Sequence, residues 1–353
     1  MNYRSIAELN DTVVRWTAAL PSDIELVVGV PRSGLLVANL LSMYLNLPMT
    51  DVDGLVSGRV LRAGARYKGE SGSTLLSRPR NVLVVDDSVS YGGQMGRVRR
   101  EIADADLPHR IDYAAVYITP EARDERLVDH FCEVVARPRV FEWNLMHNQS
   151  LLARSCISIE GVLCPLDSAF ESAGEEASSS GLDGVEPLWI PDHPVGWLLS
   201  TQSEASRPRT EDWLASHGVD YTRLVMRGEH EGWSERAGEK DVWFKAEIYE
   251  SSGADILIDG SLEVCCKVAS LLGKPAYCTT TREMVRPGMS PKEGRRLRSP
   301  LAWSAVQTYH RIIRIPRLAA KRVVSRTRRY LSGGVGNSSG PTEPKAELAD
   351  VEE

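Results

Sequence analysis

The sequence predicts an α/β protein built from two doubly wound, mainly parallel sheets. Apolar segments with the length of buried strands, at residues 26–30 and 82–85, each lead through a turn rich in glycine, proline or serine into a helical pattern. The same alternation returns after about residue 150. Alternating strands and helices are typical of parallel sheets covered by helices. With 353 residues, the chain is long enough for two such domains.

Changes in composition divide the chain into four parts. We predict one domain over residues 1–150 and a second over residues 151–285. The second carries an insertion at 167–186 with six acidic residues and no basic one. A basic segment follows at 286–332, and the acidic tail at 333–353 has the composition of a disordered region.

Charge, hydropathy and cysteine spacing indicate which classes of protein the sequence does not fit. A net charge of −6 argues against a nucleic-acid-binding surface covering the whole protein. The sequence contains no apolar run of membrane-spanning length and no signal-peptide core, so we expect a cytoplasmic protein. The six cysteines lack C-x-x-C spacing, which favours free buried thiols over a metal cage.

Two adjacent carboxylates, Asp86 and Asp87, follow the apolar residues 82–85, and a helical pattern covers residues 94–103. The turn between them contains small, hydroxyl-bearing and glycine residues: Ser88, Ser90, Tyr91, Gly92 and Gly93. Ligands of open parallel sheets bind where strands end, and backbone N–H groups in such a turn favour a phosphate. Carboxylates repel a bare phosphate, so they are expected to accept hydrogen bonds from hydroxyls or to face a metal ion. The pattern predicts a site for a phosphorylated sugar with Mg²⁺, against the alternative of a solvated Asp-Asp turn.

A second turn of the same kind follows the strand that begins at Leu26. It contains Pro31, Arg32, Ser33 and Gly34 and leads into an apolar helix over residues 36–44. Arg32 supplies a permanent positive charge that suits bidentate contacts with a phosphate. Two such turns at strand ends predict two halves of one anion-binding site.

In motif, order and spacing, these two turns resemble the ligand loops of type I phosphoribosyltransferases. The resemblance implies that Asp86 and Asp87 hold the ribose hydroxyls of phosphoribosyl pyrophosphate. It also implies that the segment 90–93 takes the 5′-phosphate, that Ser88 contributes to substrate binding, and that the turn at 31–34 takes the pyrophosphate. Mg²⁺ would be held mainly through the bound substrate. Tyr91 and Gln94 depart from the family's usual Thr and Ser/Thr.

The segment 58–73, between the two turns, is rich in glycine and basic residues and lacks periodicity. The resemblance implies a mobile loop that closes over the reacting centre and excludes water. Candidates to meet the pyrophosphate are Arg59, Arg62, Arg66 and Lys68. A solvated basic hairpin is the alternative.

The second half resembles the haloacid dehalogenase-like phosphatase fold. Aligned residue by residue, Ser200, Lys245 and Asp259 match the family's second, third and fourth motifs. The first motif fails, because Ser158 stands where the family has its aspartyl nucleophile and Glu160 stands at the general-acid position. A serine hydroxyl supplies neither the negative charge nor a comparable metal ligand. We therefore expect a degenerate site with little or no phosphatase activity, which could still bind a phosphorylated ligand through Ser200 and Lys245.

Together the two resemblances cover about residues 1–285 and are similar to a bacterial group that fuses the two domains, sometimes beside cell-surface polysaccharide genes. The joining segment 137–147 resembles that group's junction, where we expect Trp143 and His147 to pack between the domains. Further on, residues 311–329 carry eight basic residues and no acidic one. They could bind an anionic membrane surface, RNA or an acidic partner, or fold back on the acidic body.

The resemblances imply a Mg²⁺-dependent phosphoribosyltransferase of nucleoside or nucleotide metabolism, that is, a glycosyltransferase acting on phosphoribosyl pyrophosphate. Its nitrogen acceptor is not identified by the sequence, and a homodimer is possible in this family. Two alternatives stay open. One is a non-catalytic regulator that binds phosphoribosyl pyrophosphate or a nucleotide, and the other is a weak phosphatase acting through the second domain.

Overall fold

The computed structural model describes most of the chain up to residue 290, and the described residues form part of one compact unit, Met1–Pro291. The described ranges are 1–61, 67, 69, 72–165, 185–227 and 239–290. The predicted acidic insertion, except for its last two residues, lies outside them. So do the basic segment beyond residue 290, with its proposed contact region 311–329, and the acidic tail.

Thirteen strands and ten α-helices make up the described part of the chain. The strands are β1 (Asn2–Arg4), β2 (Leu26–Gly29), β3 (Met49–Asp51), β4 (Asn81–Val89), β5 (Arg110–Ile118), β6 (His130–Val134), β7 (Arg139–Phe141), β8 (Ser155–Ser158), β9 (Val195–Ser200), β10 (Tyr221–Met226), β11 (Ile256–Asp259), β12 (Ala276–Cys278) and β13 (Glu283–Val285). The helices are α1 (Ile6–Trp16), α2 (Ser33–Leu45), α3 (Val52–Ser57), α4 (Gly93–Asp104), α5 (Pro120–Asp124), α6 (Glu142–Leu145), α7 (Gln149–Leu152), α8 (Arg207–Ser216), α9 (Lys240–Ser251) and α10 (Leu262–Leu272). Two short 3₁₀ helices lie at Gly72–Ser77 and Glu204–Ser206.

The first sheet has five parallel strands in the order β3-β2-β4-β5-β6. Its central strand β4 begins with the apolar run 82–85, which is buried on both faces between two apolar clusters. Strand order changes direction between β2 and β4, and the crevice at such a point is where open parallel sheets bind ligands. Both predicted turns follow these two strands.

The second sheet has six strands in the order β10-β9-β8-β11-β12-β13. All neighbours are parallel except the β12–β13 hairpin. Strand order again changes direction, here between β8 and β11, so the ends of these two strands form a second crevice. The prediction of an α/β protein with mainly parallel sheets is confirmed.

A two-stranded parallel ribbon of β1 and β7 lies outside both sheets. Helix α1 follows β1 and begins with a capping box, in which Ser5 Oγ accepts a hydrogen bond from the backbone N–H of Glu8 and the Glu8 carboxylate accepts one from that of Ser5. The ribbon brings the start of the chain against the segment that leads from the first sheet to the second.

The end of β4 differs from the sequence prediction. The strand continues four residues beyond Val85 to Val89, because β5 pairs with it along this stretch, with Asp86 opposite Ala115 and Ser88 opposite Tyr117. The two carboxylates therefore lie within the strand rather than after it. Helix α4 begins at Gly93, directly after Gly92 in a left-handed conformation with φ of 70°.

All six cysteines are free thiols, five of them buried and Cys132 partly buried. Within the described ranges, no helix combines the length and apolar character needed to cross a bilayer.

Candidate functional site

The two predicted turns meet at the crevice of the first sheet. Gly29 of β2 pairs with Val85 of β4, and the Val30 N–H donates to the Val85 carbonyl at 2.9 Å. One step further, Ser33 Oγ donates to Asp87 Oδ1 at 2.8 Å. The turn at 31–34, in which the Pro31–Arg32 peptide bond is cis, and the acid pair are thus joined by a side-chain hydrogen bond.

Gly34 allows this close approach. A Cβ atom at Gly34 would lie 2.7 Å from the carbonyl oxygen of Val85 and 3.0 Å from Asp86 Oδ1. Neither the strand backbone nor the buried carboxylate can yield that much space. Only glycine therefore lets α2 begin directly beside the acid pair.

The acid pair is buried, with Asp86 8% exposed and Asp87 5% exposed. Asp86 Oδ1 accepts a hydrogen bond from the backbone N–H of Asp87 at 2.8 Å. Burial, followed by the negative charge of Asp87, raises the pKa of Asp86 to about 8. Among the residues that the structure describes, no lysine, arginine or histidine forms an ion pair with either carboxylate. The Asp86 carboxyl therefore favours its protonated form at neutral pH.

Trp143 is a site residue that the sequence analysis missed. Its indole Nε1 donates to Asp87 Oδ2 at 2.8 Å, so both oxygens of Asp87 accept hydrogen bonds. The indole stacks on Phe141, with ring centroids 4.8 Å apart and an angle of 11° between the planes. The one indication of this role that the sequence offers is that a tryptophan inside a protein needs a hydrogen-bond acceptor for its indole N–H. His147 is exposed and lies 2.9 Å from Asp192, in the segment before β9.

Two arginines of the joining segment lie beside the loop 90–93. Arg139 Nη2 donates to Ser90 Oγ at 2.9 Å, and the Arg137 guanidinium lies 4.3 Å from the ring centroid of the exposed Tyr91. Burial lowers the pKa of Arg139 against the opposing effect of the Asp87 charge. Arg139 Nη1 is buried without a hydrogen-bond partner in the described part of the chain. The loop 90–93 therefore has two guanidinium groups beside it that local sequence patterns did not reveal.

The remaining predicted residues of this site divide into described and undescribed ones. Arg32 is exposed at the start of α2, and Ser88 is half-buried in β4. Arg59 contacts both oxygens of Asp51, at 2.8 and 3.0 Å, beside the end of β3. Half of the predicted closing loop 58–73 lies outside the described residues, including Arg62, Arg66 and Lys68.

At the crevice of the second sheet, Ser158 and Asp259 end the adjacent strands β8 and β11. Ser158 Oγ donates to Asp259 Oδ2 at 2.5 Å, and Lys245 Nζ from α9 donates to the same oxygen at 2.6 Å. The Lys245 and Asp259 side chains are 4% and 1% exposed. Burial alone would lower the pKa of Lys245, but the charge and hydrogen bond of Asp259 outweigh it and leave the pKa raised.

Glu160 completes this second cluster. Its carboxylate accepts hydrogen bonds from Ser200 Oγ at 2.6 Å and from the Thr201 N–H at 3.1 Å. The backbone N–H of Ser261 donates to the remaining oxygen of Asp259 at 2.7 Å. Ser200 and Lys245, which the sequence analysis offered as groups for a phosphorylated ligand, are thus buried and bonded to carboxylates of the protein itself.

The two crevices also differ as metal sites. No group of three or more His, Cys, Asp or Glu side chains that could hold a metal ion occurs within the described ranges. Asp86 and Asp87 supply carboxylate oxygens to which no described cation is directly bonded, a donor set that suits Mg²⁺ when a ligand's phosphates supply further oxygens. The second cluster already pairs its main carboxylate with Lys245.

The sequence matches no protein-family model, and no curated protein matches it either. Among solved structures, the chain is similar to a purine phosphoribosyltransferase from Pyrococcus horikoshii, with 20% identity and a TM-score of 0.30 over 40% of this chain and 92% of that one. It is similar to the xanthine-guanine-hypoxanthine phosphoribosyltransferase of Helicobacter pylori, with 16% identity and a TM-score of 0.30 over 41% and 92%. It is also similar to a hypothetical protein from Neisseria gonorrhoeae with bound ppGpp, with 14% identity and a TM-score of 0.29 over 40% and 89%.

Proposed function

We propose that the crevice of the first sheet binds phosphoribosyl pyrophosphate with Mg²⁺ and transfers phosphoribose to a nitrogen acceptor, with release of pyrophosphate. The observation that carries this proposal is the hydrogen bond between Ser33 and Asp87. It joins an acid pair suited to ribose hydroxyls to a turn suited to a pyrophosphate, where strand order reverses and ligands of parallel sheets bind. Among the described residues the acid pair also has no directly paired cation, and a magnesium complex would supply one.

In this proposal each part of the crevice has one role. Asp86 and Asp87 accept hydrogen bonds from the ribose 2′- and 3′-hydroxyls, and a carboxylate oxygen that already accepts one hydrogen bond has a further lone pair for another. The backbone N–H groups of the loop 90–93 hold the 5′-phosphate, with Arg139 adding positive charge. Arg32 meets the pyrophosphate, a contact for which a planar guanidinium is suited.

The reaction requires little covalent chemistry from the protein. The bond between ribose C1 and the pyrophosphate oxygen breaks, the acceptor nitrogen forms a bond to C1, and that nitrogen loses its proton. Mg²⁺, when bound, neutralises charge on the pyrophosphate. The chain's own contribution is to fix the ribose and to stabilise the departing anion, which are effects of positioning and of prearranged charge.

Calorimetric titration of phosphoribosyl pyrophosphate with Mg²⁺ tests this proposal. The wild type should bind, and Asp86→Asn/Asp87→Asn should weaken binding at least 100-fold, because the ribose hydroxyls lose two acceptors. Asp255→Asn, a change at an exposed carboxylate of the second sheet, is the matched control and should bind like the wild type. Absence of binding by the wild type would refute the proposal.

A second candidate function uses the same site without turnover. Both oxygens of Asp87 already accept hydrogen bonds from the protein, which suits a rigid binding site as well as a catalytic one. A regulator would bind the ligand and produce no pyrophosphate with any nucleobase. Release of pyrophosphate in the presence of one acceptor, together with the phosphoribosylated product detected by mass spectrometry, would exclude this alternative.

For the second sheet we propose a haloacid dehalogenase-like fold without phosphatase activity. Ser158 offers no charge at the nucleophile position, and the lysine that would meet a phosphate is bonded to Asp259. Phosphate release from phosphosugars or nucleotides that disappears in Ser158→Ala would contradict this proposal.

A further inference from the structure

The ribbon of β1 and β7 lies directly against the β12–β13 hairpin of the second sheet. The rings of Tyr3 and Tyr277 are in contact, with centroids 6.0 Å apart. Tyr3 Oη donates to the carbonyl oxygen of Arg282, in the turn of the hairpin, at 3.2 Å. The hairpin turn therefore touches the element that carries Arg139 and leads into Trp143.

Arg282 has an unusual backbone and a defined partner. Its φ of 59° lies in the left-handed region, which a residue with a side chain seldom adopts. Its guanidinium lies 2.8 Å from Glu142 Oε1, and the Glu142 side chain is only 8% exposed. The other oxygen of Glu142 accepts the Ile6 N–H at 2.8 Å, at the start of α1. Both carboxylate oxygens of Glu142 are thus bonded, one to the backbone N–H of Ile6 and the other to Arg282 in the hairpin of the second sheet.

Glu142 immediately precedes Trp143 in the single helical turn α6. Trp143 in turn donates to Asp87 in the crevice of the first sheet. Removing the Arg282 guanidinium leaves a nearly buried carboxylate without its cation, a condition that a protein relieves by moving or solvating that group. In so short an element, movement of Glu142 displaces Trp143 as well.

We infer that Arg282 is a positioning residue for the crevice of the first sheet: through Glu142 it holds Trp143 against Asp87, so the hairpin of the second sheet sets how well that crevice binds its ligand. The identity of the ligand rests on the proposed function, whereas the connection from Arg282 to Asp87 does not. A contact that spans the two sheets in this way makes the second sheet a regulatory element of the first. The coupling is also reciprocal, since ligand in the crevice then stabilises the hairpin.

The test uses the full-length chain and a cycle of variants. Arg282→Gln should raise the Kd for phosphoribosyl pyrophosphate with Mg²⁺ about fivefold, a typical size for coupling through packed elements. Arg282→Lys keeps the charge and should recover at least half of the lost binding free energy.

Trp143→Phe keeps an aromatic ring but loses the N–H donor to a carboxylate, and should raise the Kd about tenfold. Because Arg282 acts through Trp143, the double variant should bind no more weakly than Trp143→Phe alone.

Arg154→Gln is the matched control, because Arg154 also forms an ion pair beside the second sheet, with Asp255, and its hydrogen bonds run to Asp255 and Ser150 instead of to the ribbon. It should leave the Kd unchanged. Thermal unfolding measures whether each variant is folded. If Arg282→Gln is not folded, Arg282→Lys serves as the folded comparison.

Amide hydrogen exchange without ligand separates this inference from the proposed function. Arg282→Gln, but not Arg154→Gln, should speed exchange in peptides that cover residues 84–93 and 141–146. If the wild type binds the ligand and Arg282→Gln changes neither the Kd nor exchange, the inference is overturned and the proposed function stands. If the wild type does not bind, the proposed function fails, and unchanged exchange in Arg282→Gln would overturn the inference as well.

Discussion

The two sheets hold carboxylates at the same kind of position and treat them in opposite ways. In the second sheet, Asp259 ends β11 and is paired with Lys245 at 2.6 Å. In the first sheet, Asp86 and Asp87 lie near the end of β4, and the described part of the chain provides no ion-pair partner for them. In the second cluster Lys245 is bonded directly to Asp259, while Glu160 accepts hydrogen bonds from neutral donors. In the first, no described cation is bonded directly to either carboxylate, although the charge of Asp87 acts on Arg139.

This difference distinguishes a closed polar cluster from a binding site. A buried charge is tolerated when a partner of opposite charge and further hydrogen bonds compensate for lost hydration. Where no directly bonded cation is present among the described residues, burial and a neighbouring carboxylate raise the pKa of the carboxyl, as at Asp86. The position of a carboxylate at a strand end therefore does not identify a binding site until its partners are known.

Removing Lys245 gives the sharpest test of the closed cluster. Lys245→Met leaves Asp259 buried without its cation, and it should lower the free energy of unfolding by roughly 3–5 kcal/mol. Arg154→Met is the matched control, because its ion pair with Asp255 has the same 2.6 Å separation but is exposed. That variant should lose about 1 kcal/mol or less. Urea denaturation at pH 7 measures both.

A loss below about 1 kcal/mol in Lys245→Met would mean that Asp259 gains access to water or to another cation. The second cluster would then be open in the same sense as the first. In that case the comparison between the sheets would fail.

Removing Lys245 should lower the free energy of unfolding, whereas Asp86→Asn, a change in the acid pair, should raise it at high pH. In the unfolded chain Asp86 ionises near its ordinary pKa of 3.8, whereas in the folded protein its pKa is raised to about 8. Between these values the folded state binds one more proton than the unfolded state, so the free energy of unfolding falls as the pH rises. Asparagine removes this pH-dependent contribution, so the free energy of unfolding of the variant relative to the wild type should rise by roughly 4 kcal/mol between pH 5 and pH 8.5.

The measurement is urea denaturation of both proteins across this pH range. Asp255→Asn corrects for other titrating groups, since Asp255 is an exposed carboxylate outside the site. Equal pH dependence of wild type and Asp86→Asn would show that a cation already neutralises the pair in the folded chain. The charge difference between the two crevices would then disappear.

Those parts of the first crevice that consist of one strand, its turn and the following helix could be predicted from the sequence. The pairing of β2 with β4 then brings Ser33 to Asp87. The end of β4 could not be predicted, because pairing with β5 rather than composition continues the strand to Val89. Trp143 reaches Asp87 across 56 residues, and no pattern within the segment 137–147 specifies that acceptor.

The second crevice shows the same limit more clearly. Sequence patterns selected Ser158, Glu160, Ser200, Lys245 and Asp259 one at a time, and all five are buried in one cluster. The patterns did not reveal that the serines and the lysine bond to the two carboxylates. Ser158 and Asp259 are 101 residues apart, and their contact depends on the pairing of β8 with β11. Whether these groups face a ligand or one another is decided by tertiary structure alone.

The smallest expected effect concerns Arg32 and Arg59, the two described residues among the arginines that the sequence analysis offered to the pyrophosphate. Arg32 is exposed beside the crevice, whereas Arg59 is held by both oxygens of Asp51. Arg32→Gln should therefore raise the Kd for phosphoribosyl pyrophosphate with Mg²⁺ about tenfold, the cost of one charge-assisted contact. Arg59→Gln should change the Kd less than about twofold and, because its ion pair is exposed, stability by less than about 1 kcal/mol. Calorimetric titration of both variants checks this order. A larger loss in Arg59→Gln would mean that Arg59 exchanges Asp51 for the ligand, so that the first crevice, unlike the second, rearranges its ion pairs when its ligand binds.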